Sequence, residues 1–315
     1  MRLLVLFAFA LSLAGASPIA AQTSLTTLHV GFTPDDDVTP LVWGVKSGLF
    51  ARAGLDVQFE RATSGSAVTA AVASGSYDIG KSSLLSLMNA HVKGLPIVLI
   101  AAGVLYDTKT PYTELLVPKD VPVNSGKDLN GKVVASASLK DLAQLAISSW
   151  VDKHGGDSRT LQFVEVPMSA ASVALEEHRI YAASVTEPFL DAAIAAGKAR
   201  GVGSAYAAIS PHFLIAGWFA TTDWTSKHPD LARRFARAFA EAAAYTNAHR
   251  AETAPLMAEL TGIPLAVYGK LAQRAYIATS LNAADIQPLI DVAAKYGFIP
   301  RAFPAQELID PAVAK

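Results

Sequence analysis

Short apolar runs alternate with amphipathic stretches along most of the chain, starting near residue 28. "LHVGF" (28–32) reads as a strand. "PLVWGVKSGLFARAG", from about Pro40, reads as one amphipathic helix, with Thr39 placed to cap it and Gly54 to end it. "LDVQFERA" is a strand, "SGSAVTAAVASG" a small-residue helix ended by Gly75, and "YDIGKSS" a short strand and turn. "SLLSLMNAHVKG" is a helix ended by Gly94, and "PIVLIAAGV" is a buried strand. Strands that alternate with helices predict parallel βαβ units.

The same grammar restarts near Leu115. "ELLVP", "KVVASA", "LQFVEVP" and "IYAASVTEP" read as strands. Between and after them lie the helices "SLKDLAQLAISSWVDKHG", capped by Ser138, "SAASVALEEHR" and "FLDAAIAAG". After "GWFATTDWTSKHP" the pattern becomes mainly helical over 230–250, 251–261, 264–278 and 283–296. Crossings between two lobes are expected near 104–112 and 206–218. The expected division is residues 28–108 plus 215–300 in lobe 1 and 109–214 in lobe 2.

The first residues change the picture. "MRLLVLFAFALSLAGASPIAAQ" has one arginine, an apolar run over 3–13, a Gly15 break and then small residues. This is the outline of a secretory signal peptide cleaved near Ala21, and the run is too short for a permanent anchor. Residues 1–21 are therefore expected to be a leader, and the mature chain a soluble protein of the periplasm.

Composition narrows the classes. At 315 residues two lobes are favoured over one, and 51% hydrophobic with 17% charged residues reads as globular. A formal charge of −1 gives no reason to expect nucleic acid. The absence of cysteine excludes disulfides, thiolate metal sites and a cysteine nucleophile. The seven histidines show no metal-binding spacing, and neither a G-x-S-x-G elbow nor a phosphate loop is present. "GVGSAYAAIS" is glycine-rich but follows no clear strand. No enzyme, cofactor or metal is expected.

Four motifs carry a family likeness: "GLFARAGLDVQF", "ASGSYDIG", "DLNGKVVASASLKD" and "SVTEPF". In this order and spacing they resemble the periplasmic solute-binding proteins of ABC importers, in the branch serving sulfonates, nitrate, taurine and thiamine pyrimidines. The resemblance implies an α/β fold of two hinge-linked lobes, a ligand in the cleft between them, and delivery to an inner-membrane ABC permease. A monomer is expected. The cytoplasmic pyrimidine synthases of this group carry a cysteine-rich segment, which this chain lacks.

In open parallel sheets, ligands lie beyond the carboxyl ends of the strands, where helix N-termini present N–H groups to anions. Those ends nominate Thr33, Asp36, Thr39, Ser64, Gly65, Ser66, Lys81, Ser82 and Ser83 on one side. They nominate Ser136, Ser138, Lys140 and Glu187 on the other. Lys81 and Lys140, one in each lobe, could clamp an anion, although either could instead snorkel to water. Of the consecutive Asp35, Asp36 and Asp37, at least two are expected to be solvated loop residues. Glu187 either accepts from a ligand N–H or serves the helix behind it. Trp218, near the return crossing, is the aromatic cleft candidate, while Trp43 and Phe189 are expected in the core. The leading ligand is a small organic anion, a sulfonate or an aromatic carboxylate. The alternative is a thiamine-type pyrimidine or other neutral or cationic heterocycle, held by Glu187 and one aspartate. An exported enzyme or a sensing receptor subunit on the same scaffold stays open as a different class.

Overall fold

The computed structural model describes residues 25–33, 36–62, 64–186, 189–262, 264–266 and 276–313, with the side chain of Asp36 left out. The fold is two-lobed, built on two five-stranded sheets and a three-stranded sheet. The first sheet holds β1 (Thr26–Phe32), β2 (Leu55–Arg61), β3 (Ile79–Ser83), β4 (Ile97–Ala102) and β12 (Ala216–Thr221), in the order β2-β1-β3-β12-β4. The second holds β6 (Thr113–Pro118), β7 (Val133–Ser136), β8 (Gln162–Glu165), β9 (Ala182–Thr186) and β10 (Ala199–Gly201), in the order β10-β6-β9-β7-β8. Between them, β5 (Val104–Asp107) pairs antiparallel with both β11 (His212–Leu214) and β13 (Tyr276–Ile277).

The sheets are mixed rather than purely parallel. β12 runs antiparallel to β3 and β4, and β6 runs antiparallel to β9 and β10. The reason is the crossing itself. β5 leads into β6, and β11 leads into β12, so these two strands enter their sheets from the hinge and run away from it. The other strands run toward the hinge. Their carboxyl ends, from both sheets, therefore face the space between the lobes.

Local chemistry explains the elements and several departures from expectation. The stretch after Thr39 forms two helices, α1 (Thr39–Lys46) and α2 (Leu49–Arg52), because Gly48 breaks it at φ 72°. Val38, not Thr39, precedes α1, since a 3₁₀ turn over Asp36–Val38 already leads into it. α3 (Gly65–Ala73) and α4 (Leu84–Val92) start at the hydroxyl caps Ser64 and Ser83. α5 (Leu142–Lys153) starts at Asp141 rather than Ser138, because the carboxylate accepts from the Gln144 N–H. α6 (Met168–Glu176), α7 (Phe189–Ala195), α8 (Thr222–Lys227), α9 (Pro229–Ala248) and α10 (Arg250–Thr261) follow. The helix expected over 264–278 does not reach its end, where Tyr276 and Ile277 add a strand to β5; residues 267–275 lie outside the described residues. α11 (Ala283–Lys295) closes the order, capped by Asn282.

One core packs β1, α1 and α9 against Trp218. On α9, Ala232, Phe235, Phe239, Ala242, Ala243 and Thr246 form the buried stripe of a 3.6-residue period. Each fully buried phenylalanine contributes roughly 1.5–3 kcal/mol. A second core runs from α4 and β4 through Leu105 and Tyr106 into α5 and α11. α11 also ties to α5 by a hydrogen bond from the Tyr296 hydroxyl to Asp152 at 2.8 Å. Burial and this carboxylate push the Tyr296 phenol up to about 12.

Candidate ligand cleft

On the first wall the ends of β1 and β3 and the start of α3 meet. Lys81 neither reaches water nor stands as a free cation. Its Nζ lies 2.6 Å from Asp37 Oδ1, with the side chains 4% and 1% exposed. Asp37 is thus not one of the solvated aspartates, and Lys81 brings no uncompensated positive charge, which corrects its expected role as a free anion clamp. A charge buried this deeply is tolerated only when paired. Gly103, where β4 passes into β5, is close by. A Cβ there would lie 3.0 Å from Asp37 Oδ2 and 2.7 Å from the Ala216 carbonyl oxygen, so a side chain would force the crossing apart. Thr33 ends the loop side of β1 and Thr39 opens α1; both are half-buried and engaged. Asp35 lies outside the described residues.

The start of α3 is differently furnished. Ser64 Oγ accepts from the Ala67 N–H at 3.2 Å and lies 3.0 Å from Ser66 Oγ. The N–H groups of Gly65 and Ser66 have no acceptor among the described residues. Ser82, 1% exposed, directs its hydroxyl at this helix start and has no hydrogen-bond partner among the described residues. Its Oγ would be 2.6 Å from a Cβ on Gly65, so glycine is required for this approach. Ser83 instead caps α4, accepting from the Ser86 N–H and donating to Ser86 Oγ at 2.8 Å. Unpaired buried hydroxyls are rare in folded proteins, and each calls for an explanation.

On the second wall the corresponding donors are used internally. Ser136 Oγ donates to Asp141 Oδ1 at 2.6 Å, and the Gln144 N–H donates to the same oxygen at 2.8 Å. The Ser138 N–H reaches Asp141 Oδ2 at 3.3 Å. The Leu139 N–H donates to Glu165 Oε1, and the Lys140 N–H to Gln144 Oε1. Burial pushes the Asp141 carboxyl up, against the opposing pull of these hydrogen bonds. Burial also raises the Tyr206 phenol well above its usual range, with the Asp141 carboxylate as second cause. Lys140 is exposed and adopts φ 60°, a left-handed conformation uncommon outside glycine. Glu187 and Pro188 lie outside the described residues.

Two aromatic expectations are corrected. Trp218 is fully buried among Phe32, Phe235 and Phe239, with centroids 6.5, 6.0 and 5.1 Å away, and so belongs to the core. Side chains alternate along a strand, and its face is the one covered by α9. Phe189 is 38% exposed, because Leu190 and Ala193 supply the buried face of α7. Leu139 is 51% exposed. These two apolar side chains follow the neighbouring strands β9 and β7 at their carboxyl ends. Trp43 stacks on Tyr245 at 4.1 Å, as helix packing required.

Sequence reasoning weighed Asp37 without nominating it for the site, and passed over Asp141, Gln144 and Glu165. The signal for α5 was available, since "DLAQ" has the carboxylate-plus-glutamine spacing of a capping box. Nothing local marks the pairing of Asp37 with Lys81. The glycine-rich 201–210 segment does follow a strand, β10, but it opens only a four-residue 3₁₀ turn over Ala205–Ala208. Among the described residues no cluster of potential metal ligands occurs, and no helix is long and apolar enough to cross a membrane.

A family model described as "NMT1/THI5 like" matches residues 35–253, well over half of the sequence. The chain belongs to the NMT1/THI5-like family. No curated protein matches it at a significant level. Among solved structures, this NMT1/THI5-like chain is similar to the periplasmic aliphatic sulphonate binding protein SsuA from Escherichia coli. The TM-score is 0.74 and the identity 19%, over 90% of this chain and 92% of that one. The alkanesulfonate-binding protein SsuA from Xanthomonas axonopodis pv. citri, bound to MOPS, matches with a TM-score of 0.67 and 17% identity, over 90% and 98%. The periplasmic nitrate-binding protein NrtA from Synechocystis PCC 6803 matches with 0.71 and 14%, over 91% and 86%. These likenesses establish the periplasmic binding protein fold.

Proposed function

We propose that this NMT1/THI5-like protein is the extracytoplasmic solute-binding component of an ABC importer. It captures one small organic anion between its lobes and hands it to an inner-membrane permease. The division into lobes at about 108 and 215, and export by residues 1–21, belong to this reading. So do a monomeric state and the absence of catalysis.

The observation that carries it is the unpartnered Ser82 hydroxyl beneath the start of α3. Together with the Gly65 and Ser66 N–H groups it forms a cluster of donors with nothing to bind. An oxyanion supplies the missing acceptors, and the helix N-terminus favours its charge. Lys81 is neutralised by Asp37, and the α5 start is closed by Asp141. The site is therefore rich in donors but adds no net positive charge, which suits a monoanion with spread charge rather than a dianion. Leu139 and Phe189 offer apolar cover, which suits a head group carrying an organic body. An alkyl sulfonate or an aromatic carboxylate meets both conditions. The solved sulfonate-binding and nitrate-binding neighbours support the same ligand class.

The test is titration calorimetry of the mature protein with alkyl sulfonates, aromatic carboxylates, nitrate, pyrimidines and amines. Binding of organic monoanions, weakened by Ser82→Ala, is expected. Binding of pyrimidines or amines alone overturns the reading and moves the site to Glu187 and the Asp35–Asp36 loop.

A further inference from the structure

We propose a second ligand site in this protein, outside the cleft: a pocket for one small organic anion with an apolar body, gripped by Arg233 and Arg237. A cavity of about 580 Å³ lies between β4, α9, the segment after β13 and the C-terminal segment. That volume falls within the roughly 300–1,000 Å³ typical of small-molecule sites. The hollow exists because α9 turns alanines, Ala236 and Ala240, toward a sheet edge that itself offers Ala101. Its floor is apolar: Ile100 and Phe239 are each 1% exposed.

The mouth carries the charge. Arg233 and Arg237 are exposed and one helical turn apart, so two like charges share one face of the helix at the pocket mouth. Arg237 makes no ion pair or hydrogen bond among the described residues. Among the described residues the carboxylate paired with Arg233, Asp230, is 3.9 Å away and engages Arg234 at 2.9 Å instead. Two guanidinium forks above an apolar floor fit a carboxylate or sulfonate head with a hydrocarbon tail. The position also matters. The segment after β13 forms one wall, and its Ala278 N–H donates to the Gly103 carbonyl oxygen at the crossing. An occupant thus touches the first sheet and the hinge segment together, on the side of the sheet covered by α9.

The experiment is calorimetric titration of the full mature chain with octanoate. In the cleft variant Ser82→Ala, one octanoate per chain is expected to bind, outside the cleft. The double variant Arg233→Gln/Arg237→Gln should weaken it roughly tenfold or more, and Ala240→Phe should abolish it by filling the hollow. Both arginines are exposed, so their variant keeps the fold and decides the matter even if Ala240→Phe does not fold. No binding up to millimolar octanoate overturns the proposal. So does binding that survives the arginine changes, or binding lost in Ser82→Ala, which would put octanoate in the cleft.

Discussion

The two walls of the cleft are built from the same unit, a parallel strand running into a helix, yet they finish it in opposite ways. On the first wall, α3 leaves two N–H groups and the Ser82 hydroxyl unclaimed. On the second, the Gln144 N–H of α5 and the N–H groups of the loop before it are taken by Asp141, Gln144 and Glu165. A helix N-terminus is therefore not an anion site by default. Whether it is one depends on whether the protein's own carboxylates arrive first. On the proposed reading, one wall holds the head group and the other covers the rest.

The largest expected effect comes from the ion pair under the first wall. Lys81→Met leaves the Asp37 carboxylate buried and unpaired, and should cost about 3–5 kcal/mol in urea denaturation. The double change Asp37→Leu/Lys81→Met should recover most of it. A single change with a negligible cost would mean that the pair does not support that wall.

Next comes a matched pair of serines. Ser82→Ala should weaken anion binding by about 1–3 kcal/mol, the cost of an unmade hydrogen bond to a charged group. It should leave stability unchanged or slightly raised, because an unpaired buried hydroxyl is removed. Ser136→Ala on the second wall should do the reverse, costing about 1 kcal/mol of stability with little change in affinity. Swapped results would exchange the roles of the walls.

Asp141 makes the third test. Its carboxyl is pushed up by burial, so the folded state holds the proton more tightly than the unfolded chain does. This contribution is fully present below the ordinary carboxylate value and is lost as pH rises through the raised one. Asp141→Asn should flatten that fall in denaturation curves taken from acid to neutral pH, and should raise anion affinity a little. An unaltered pH slope would remove Asp141 as its source. The smallest effect belongs to Lys140→Gly, which relieves the left-handed backbone and should add up to about 1 kcal/mol of stability. Unchanged affinity leaves head-group binding with the first wall, whereas a fall in affinity makes Lys140 a clamp after all.

What was legible in the sequence follows from the range of the interactions. The α3 and α4 helices, with their hydroxyl caps and terminal glycines, are encoded within a few residues. β1, β2 and β4 are readable from apolar runs and flanking turns. The antiparallel pairing of β5 with β11 and β13 was not readable, because three-residue and two-residue strands carry no periodic signal. Trp218 resembled a cleft residue from its place in the chain, and only the three-dimensional meeting with α9 buries it. Lys81 and Asp37 are far apart in sequence, and each looked solvated in its own neighbourhood. The donor cluster was half visible. Ser64, Gly65, Ser66 and Ser82 were nominated by strand ends, but nothing in the sequence said which hydroxyl would be left without a partner.

The position of β12 bears on how the chain acquires its shape. It sits between β3 and β4, yet it is made only after the whole second sheet has been passed. Until residues 216–221 arrive, β3 and β4 have open edges facing each other across a missing strand. The second sheet needs nothing from outside residues 113–201 to pair its strands. A chain threaded out from its N-terminus would thus complete its later-made half first and close its earlier-made half last. Open strand edges invite misassembly. The interval before β12 docks is when those edges are most open to misassembly.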